Sequence, residues 1–144
     1  MHRLTVVVLF LCGAFLGCGP HSGEMYPKIA YGRDVCLECR MIISDPQFTA
    51  AFSDTSGEFF KFDDIGCMRL YETRNHPGIR AMWVRDYASQ KWLDGRQAFF
   101  VFSKSLATPM GHGLAAFGNK ENALNFLKTK DGRIVSWEEM AKII

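Results

Sequence analysis

Apolar and polar positions alternate along the chain in short runs, and the runs form two similar series. In the first, residues 49–52 and 59–62 read as strands around a turn at Gly57, which makes a hairpin. Asp63 and Asp64 stand where a carboxylate can cap the free N–H groups of a first helical turn. Ile65, Met68, Leu70 and Tyr71 follow at near-helical spacing, and the run 75–78 (Asn-His-Pro-Gly) stops the helix. Residues 80–84 read as a third strand. The second series has strands at 98–102 and 114–117, a helix capped by Asn119 and running through Lys128, and a strand at 133–136. Each series has the order ββαβ. A half of about 55 residues is marginal alone, so the two are expected to pack together. Trp83, Trp92 and Trp137 read as core and interface anchors.

The stretch before the first series has a different character. An Arg and a His precede an apolar run over residues 6–16 that is too short to span a bilayer as a helix. This describes a secretory signal over 1–17. Gly17 followed by Cys18 resembles a bacterial lipobox, with Cys18 as the lipidated first residue of the mature chain. Two acyl attachments at one cysteine give stable anchoring, whereas one chain is marginal. Residues 18–34, rich in Gly, Pro and polar groups, read as a flexible tether. The expected organisation is therefore signal 1–17, tether 18–34, first half 35–95 and second half 96–144.

Composition narrows the function classes. The 144 residues fit one ordinary domain, and 48% hydrophobic with 22% charged residues is globular. Lys+Arg 17 against Asp+Glu 15 leaves a formal +2, which argues against a nucleic-acid binder. No Ser/His/Asp order, phosphate-binding glycine loop or HExxH run is present, and Asp63, Asp64 and Asp86 fit capping and turn roles. Past the signal and Cys18, three cysteines remain: Cys36, Cys39 and Cys67. An odd number does not make a disulfide scaffold.

Two segments carry candidate chemistry. CLECRM at 36–41 places Cys36, Cys39 and Met41 in a C-x2-C-x-M run. Two thiolates and a thioether are soft ligands that suit Cu(I), and cysteine also suits Zn(II). The same spacing also fits a redox pair, half a zinc site or a disulfide. TPMGHG at 108–113 places Met110 and His112 on one face of a glycine-rich loop that packing alone explains poorly. Packing of the halves is expected to bring this loop over the Cys36–Cys39 segment. Cys67, in the helical run beside Met68, reads as a small buried hydrophobe.

With these pieces in order along the mature chain, the sequence resembles the NosL family of nitrous oxide reductase accessory lipoproteins. The matching segments are Cys18, CLECRM, FFKFDD at 59–64, RDYASQKWLD at 85–94 and TPMGHG. The resemblance implies an α+β fold of two ββαβ repeats, distantly like organomercurial lyase. It also implies a periplasmic, membrane-anchored copper chaperone, on the cell surface if the source is Gram-positive. Such a protein binds Cu(I), serves the nitrous oxide reductase maturation machinery and is not an enzyme. Family members usually carry Gly between the second Cys and the Met, where this chain has Arg40. The competing expectation is an extracytoplasmic thiol oxidoreductase or organomercurial-lyase-like enzyme using Cys36 and Cys39.

Overall fold

The computed structural model describes residues 26–144, so the signal segment and Cys18 lie outside the described residues. The elements are β1 (Ala50–Asp54), β2 (Phe59–Phe62), α1 (Ile65–Asn75), β3 (Ile79–Arg85), β4 (Trp92–Asp94), β5 (Phe99–Phe102), β6 (Leu114–Phe117), α2 (Lys120–Leu127), β7 (Arg133–Val135) and α3 (Trp137–Met140). The fold is α+β. One sheet has the order β2-β1-β3-β4 and the other β6-β5-β7, with every neighbouring pair antiparallel. In each half the first strand is central, the second and third flank it, and a helix crosses between them. The shared ββαβ order is thus also a shared topology.

Both long helices start where the sequence places their caps. Asp64 accepts from the Cys67 N–H at 2.8 Å, and Asn119 from the Asn122 N–H at 2.8 Å. Such a cap contributes about 1 kcal/mol by satisfying an otherwise orphaned donor. α1 ends at His76, whose left-handed backbone (φ 46°) closes the helix just before Pro77.

One core joins the halves. Phe52, Phe62, Ile65, Met68 and Val84 from the first half pack in a common cluster with Phe100, Leu114, Ala116, Val135 and Met140 from the second. Phe52 stacks on Phe60 and Phe62 with ring centroids 4.9 and 5.5 Å apart. The sheet β6-β5-β7 is apolar on both faces: Phe100, Leu114 and Ala116 face this core, while Val101, Ala115 and Phe117 face α2. Asp86 fixes a second seam. It bridges to Ala116 and accepts from the Gly118 N–H at 2.9 Å.

The structure corrects the sequence reading in three places. Residues 26–34, expected as part of a flexible tether, lie against the fold. Pro27 is buried, Ile29 and Tyr31 pack on the core, and Asp34 pairs with Lys61 at 2.7 Å. The Gly32 N–H also donates to the Ile43 carbonyl at 2.9 Å. The strand expected through Ser136 ends at Val135, because Ser136 caps α3 in a reciprocal capping box with Glu139. Trp92 belongs to a short fourth strand, β4, with the Arg85 guanidinium 3.8 Å above its ring. Trp137 acts as an interface anchor: it sits 5.6 Å from Phe100, and its indole N–H donates to Glu72 of α1 at 2.6 Å.

Candidate metal centre

Three segments converge at the joint between the halves. The first is a tight hairpin around Cys36–Cys39. Val35 and Ile42 bridge across it, the Cys36 N–H donates to Met41 O at 2.8 Å, and the Arg40 N–H donates to Cys36 O at 3.0 Å. The Leu37 N–H donates to Lys61 O at 3.0 Å, which pins this hairpin beside β2. Arg40 has φ +64°, the left-handed region that glycine occupies without strain. The second segment is the first turn of α1, with Asp64, Gly66 and Cys67. The third is the loop 108–113, folded on itself by the Gly111 N–H donating to Thr108 O at 3.0 Å and the Gly113 N–H to Thr108 Oγ1 at 3.2 Å.

Asp64 ties the second segment to the third. Its carboxylate caps α1 and also accepts from the Met110 N–H at 3.2 Å. His112 Nδ1 lies 3.0 and 3.1 Å from the two carboxylate oxygens. An ionised carboxylate only accepts, so Nδ1 carries the proton of this bond and Nε2 is left as a donor atom. The ring packs against Gly66, where a Cβ would fall inside the imidazole. Burial pushes the Asp64 carboxyl up, but the His112 imidazole and the Cys67 and Met110 N–H groups outweigh it and hold it below its usual value. The same hydrogen bond raises His112 above its ordinary value.

The thiols of Cys36, Cys39 and Cys67 have sulfurs within 4.8 Å of one another, and none is in a disulfide. Three sulfurs about 2.3 Å from one ion stand roughly 4 Å apart, so a small contraction would close this set around a soft metal. Cys36 and Cys67 are buried, and Cys39 is half-buried. The Cys67 thiol donates to Cys36, and the Asp63 and Cys39 N–H groups add to this, which holds Cys36 down at about 5 despite its burial. Donating to Cys36, together with burial, pushes Cys67 up; burial and the neighbouring Cys36 push Cys39 up. Among the three, Cys36 is therefore the sulfur that gives up its proton most readily.

A second donor set, Asp64, Cys67 and His112, has its ligand atoms within the same 4.8 Å and shares Cys67 with the first. The structure thus brings Cys36, Cys39 and His112 into one connected cluster of donors. Met41 is 56% exposed on the hairpin, and Met110 is 36% exposed, held by its backbone to Asp64. Cys67 and Asp64 are the site residues the sequence reading passed over. Their i, i+3 relation at a helix start was legible, since it sets the cap and the thiol on one turn. What it could not reveal is that this turn faces the Cys36–Cys39 hairpin.

The family model for NosL matches residues 29–143. The chain belongs to the NosL family. The copper-binding lipoprotein NosL of Stutzerimonas stutzeri is 24% identical over 157 aligned positions, covering 97% of this chain and 82% of that protein. The crystal structure of the copper chaperone NosL from Shewanella denitrificans shares the fold, with a TM-score of 0.68 at 18% identity. That match covers 79% of this chain and 94% of the other. The matched segment begins within the strap 26–34 and ends within the last turn, so both halves belong to the NosL fold.

Proposed function

We propose that the protein is a copper chaperone of the cell envelope that carries Cu(I) to the assembly of nitrous oxide reductase, tethered to the membrane through a lipidated Cys18. The observation that carries the copper reading is the three-thiol cluster of Cys36, Cys39 and Cys67, joined through Cys67 to a carboxylate-oriented His112. Three sulfurs suit a soft monovalent ion, and the carboxylate beyond the imidazole is the usual support of a ligating histidine. Met41 and Met110 are exposed methionines on the two segments that carry Cys36, Cys39 and His112. Burial favours a carrier over a catalyst. Cys36 is the thiolate an oxidoreductase would need, yet it is 0% exposed, which admits a small ion more readily than a bulky disulfide.

The test is anaerobic titration of the reduced full chain in detergent. One Cu(I) should bind with thiolate-to-copper charge-transfer absorption. Cys39→Ser should weaken binding more than Met110→Ala, because a charged sulfur is lost, and Met110→Ala should keep the fold. Stoichiometric uptake of Zn(II) without competition from Cu(I) would overturn the copper reading. For the anchor, Cys18→Ser should move the chain to the soluble fraction; unchanged membrane association would overturn that part. Among the described residues no helix is long and apolar enough to cross a membrane.

A further inference from the structure

The three thiols lie in a pocket that is closed to bulky molecules and rich in negative charge. Cys36 and Cys67 are buried and Cys39 is half-buried, with the three sulfurs within 4.8 Å of one another. Asp63 is buried beside them, its backbone N–H on the Cys36 sulfur and its carboxyl Oδ1 without a hydrogen-bond partner. Asp64 is buried too, and its carboxylate is engaged by His112. Among the described residues no ion pair brings a Lys or Arg to Asp63 or Asp64. Three thiolates on a monovalent ion carry a net double negative charge, which is costly to bury beside a further carboxylate. Three thiolates on a trivalent ion carry no net charge, so that cost disappears.

We propose that Cys36, Cys39 and Cys67 together form a binding site for trivalent arsenic, taken up as arsenous acid and held by all three sulfurs. This goes beyond the copper reading and needs only the three-thiol cluster. Arsenous acid is small and uncharged at neutral pH, so it enters a buried site without the desolvation cost of an ion. Three As–O bonds break and three As–S bonds form. Each hydroxide leaves as water with one thiol proton, and a sulfur already ionised draws that proton from solvent. Arsenic stays trivalent and no sulfur is oxidised. Its lone pair fills the remaining direction, so a triangle of sulfurs completes the coordination with no fourth ligand. The imidazole of His112 and the thioethers of Met41 and Met110 take no part. Once arsenic is bound, the same sulfurs are closed to Cu(I).

The full chain is purified in detergent, reduced with a phosphine, freed of metal and titrated anaerobically with sodium arsenite. Native mass spectrometry reads the number of sulfurs directly. Binding by three should add one arsenic less three hydrogens, whereas binding by two leaves a hydroxide on the arsenic. Cys67→Ser and Cys39→Ser should each retain that hydroxide and bind at least ~10-fold more weakly, because the third attachment is intramolecular. Circular dichroism checks that both stay folded, and Cys39, only half-buried, is the safer of the two. Met110→Ala should leave arsenite binding unchanged. The arsenite-loaded chain should show no thiolate-to-copper absorption when Cu(I) is added. A retained hydroxide in the unmodified chain would overturn the proposal, as would unchanged affinity in both folded cysteine variants. So would a loss in Met110→Ala as large as in Cys39→Ser. Uptake of Cu(I) without uptake of arsenite would remove only this site for arsenic. Uptake of arsenite by a chain that takes no Cu(I) would remove the copper reading and leave the arsenic site standing.

Discussion

Asp63 has a buried carboxyl oxygen, Oδ1, with no hydrogen-bond partner among the described residues. Burial, and then the neighbouring Cys36 thiolate and Asp64, push its carboxyl up from 3.8 to about 6. The folded chain therefore binds this proton more tightly than the unfolded chain. Stability falls as pH rises from 3.8 towards 6, and the full deficit is present at neutral pH. Asp63→Asn should make the metal-free protein more stable at neutral pH by about 1–2 kcal/mol, with the gain vanishing near the ordinary carboxylate value. Urea unfolding at both pH values checks this. A neutral-pH loss would mean that the charge itself holds the hairpin. The sequence reading gave Asp63 and Asp64 one joint capping role. The structure divides them: Asp64 caps and links the halves, while Asp63 donates its backbone N–H to the Cys36 sulfur.

The Cys36–Cys39 hairpin holds its turn through a residue in the left-handed region. A non-glycine there costs roughly 1 kcal/mol. Arg40→Gly should raise the thermal midpoint slightly, with a net gain of about 0.5 kcal/mol after the added flexibility of the unfolded chain. Its Cu(I) affinity should stay close to that of the unmodified protein, since no donor is lost; scanning calorimetry and a competition titration would show both. A fall in midpoint would mean that the Arg40 side chain contributes packing or charge at the site mouth. The elements legible in the sequence were those with a cap or an unbroken apolar run, such as α1 behind Asp64 and β5 with its four apolar residues. β4 and α3 span only three and four residues, too few for a period to show, and both exist because tertiary neighbours hold them. The strap over 26–34 was misread for a related reason: its Gly and Pro content is that of a linker, but Ile29, Tyr31 and Asp34 find partners only once the sheets have formed.

The shared core sets the behaviour of the whole molecule. The first half alone would expose the faces of α1 and β1 that bury Phe100, Leu114 and Met140, and the second half would expose the inner face of its sheet. Fragments 35–95 and 96–144 should each be unfolded alone and regain near-native circular dichroism when mixed. Cooperative unfolding of either isolated fragment would contradict a single core. The expectation that the site lies at the joint between the halves was legible because CLECRM and TPMGHG fall in different repeats. The identity of the third thiol was not, because nothing local distinguishes a buried Cys that fills space from one that faces two other sulfurs. Gly66 and His112 stand 46 positions apart, one in each half, and one occupies the volume the other leaves empty. In descent the two positions therefore behave as one character. A lineage that acquires any side chain at 66 loses the seat of the imidazole, and selection on 112 then relaxes, so across relatives the glycine and the histidine should appear and disappear together.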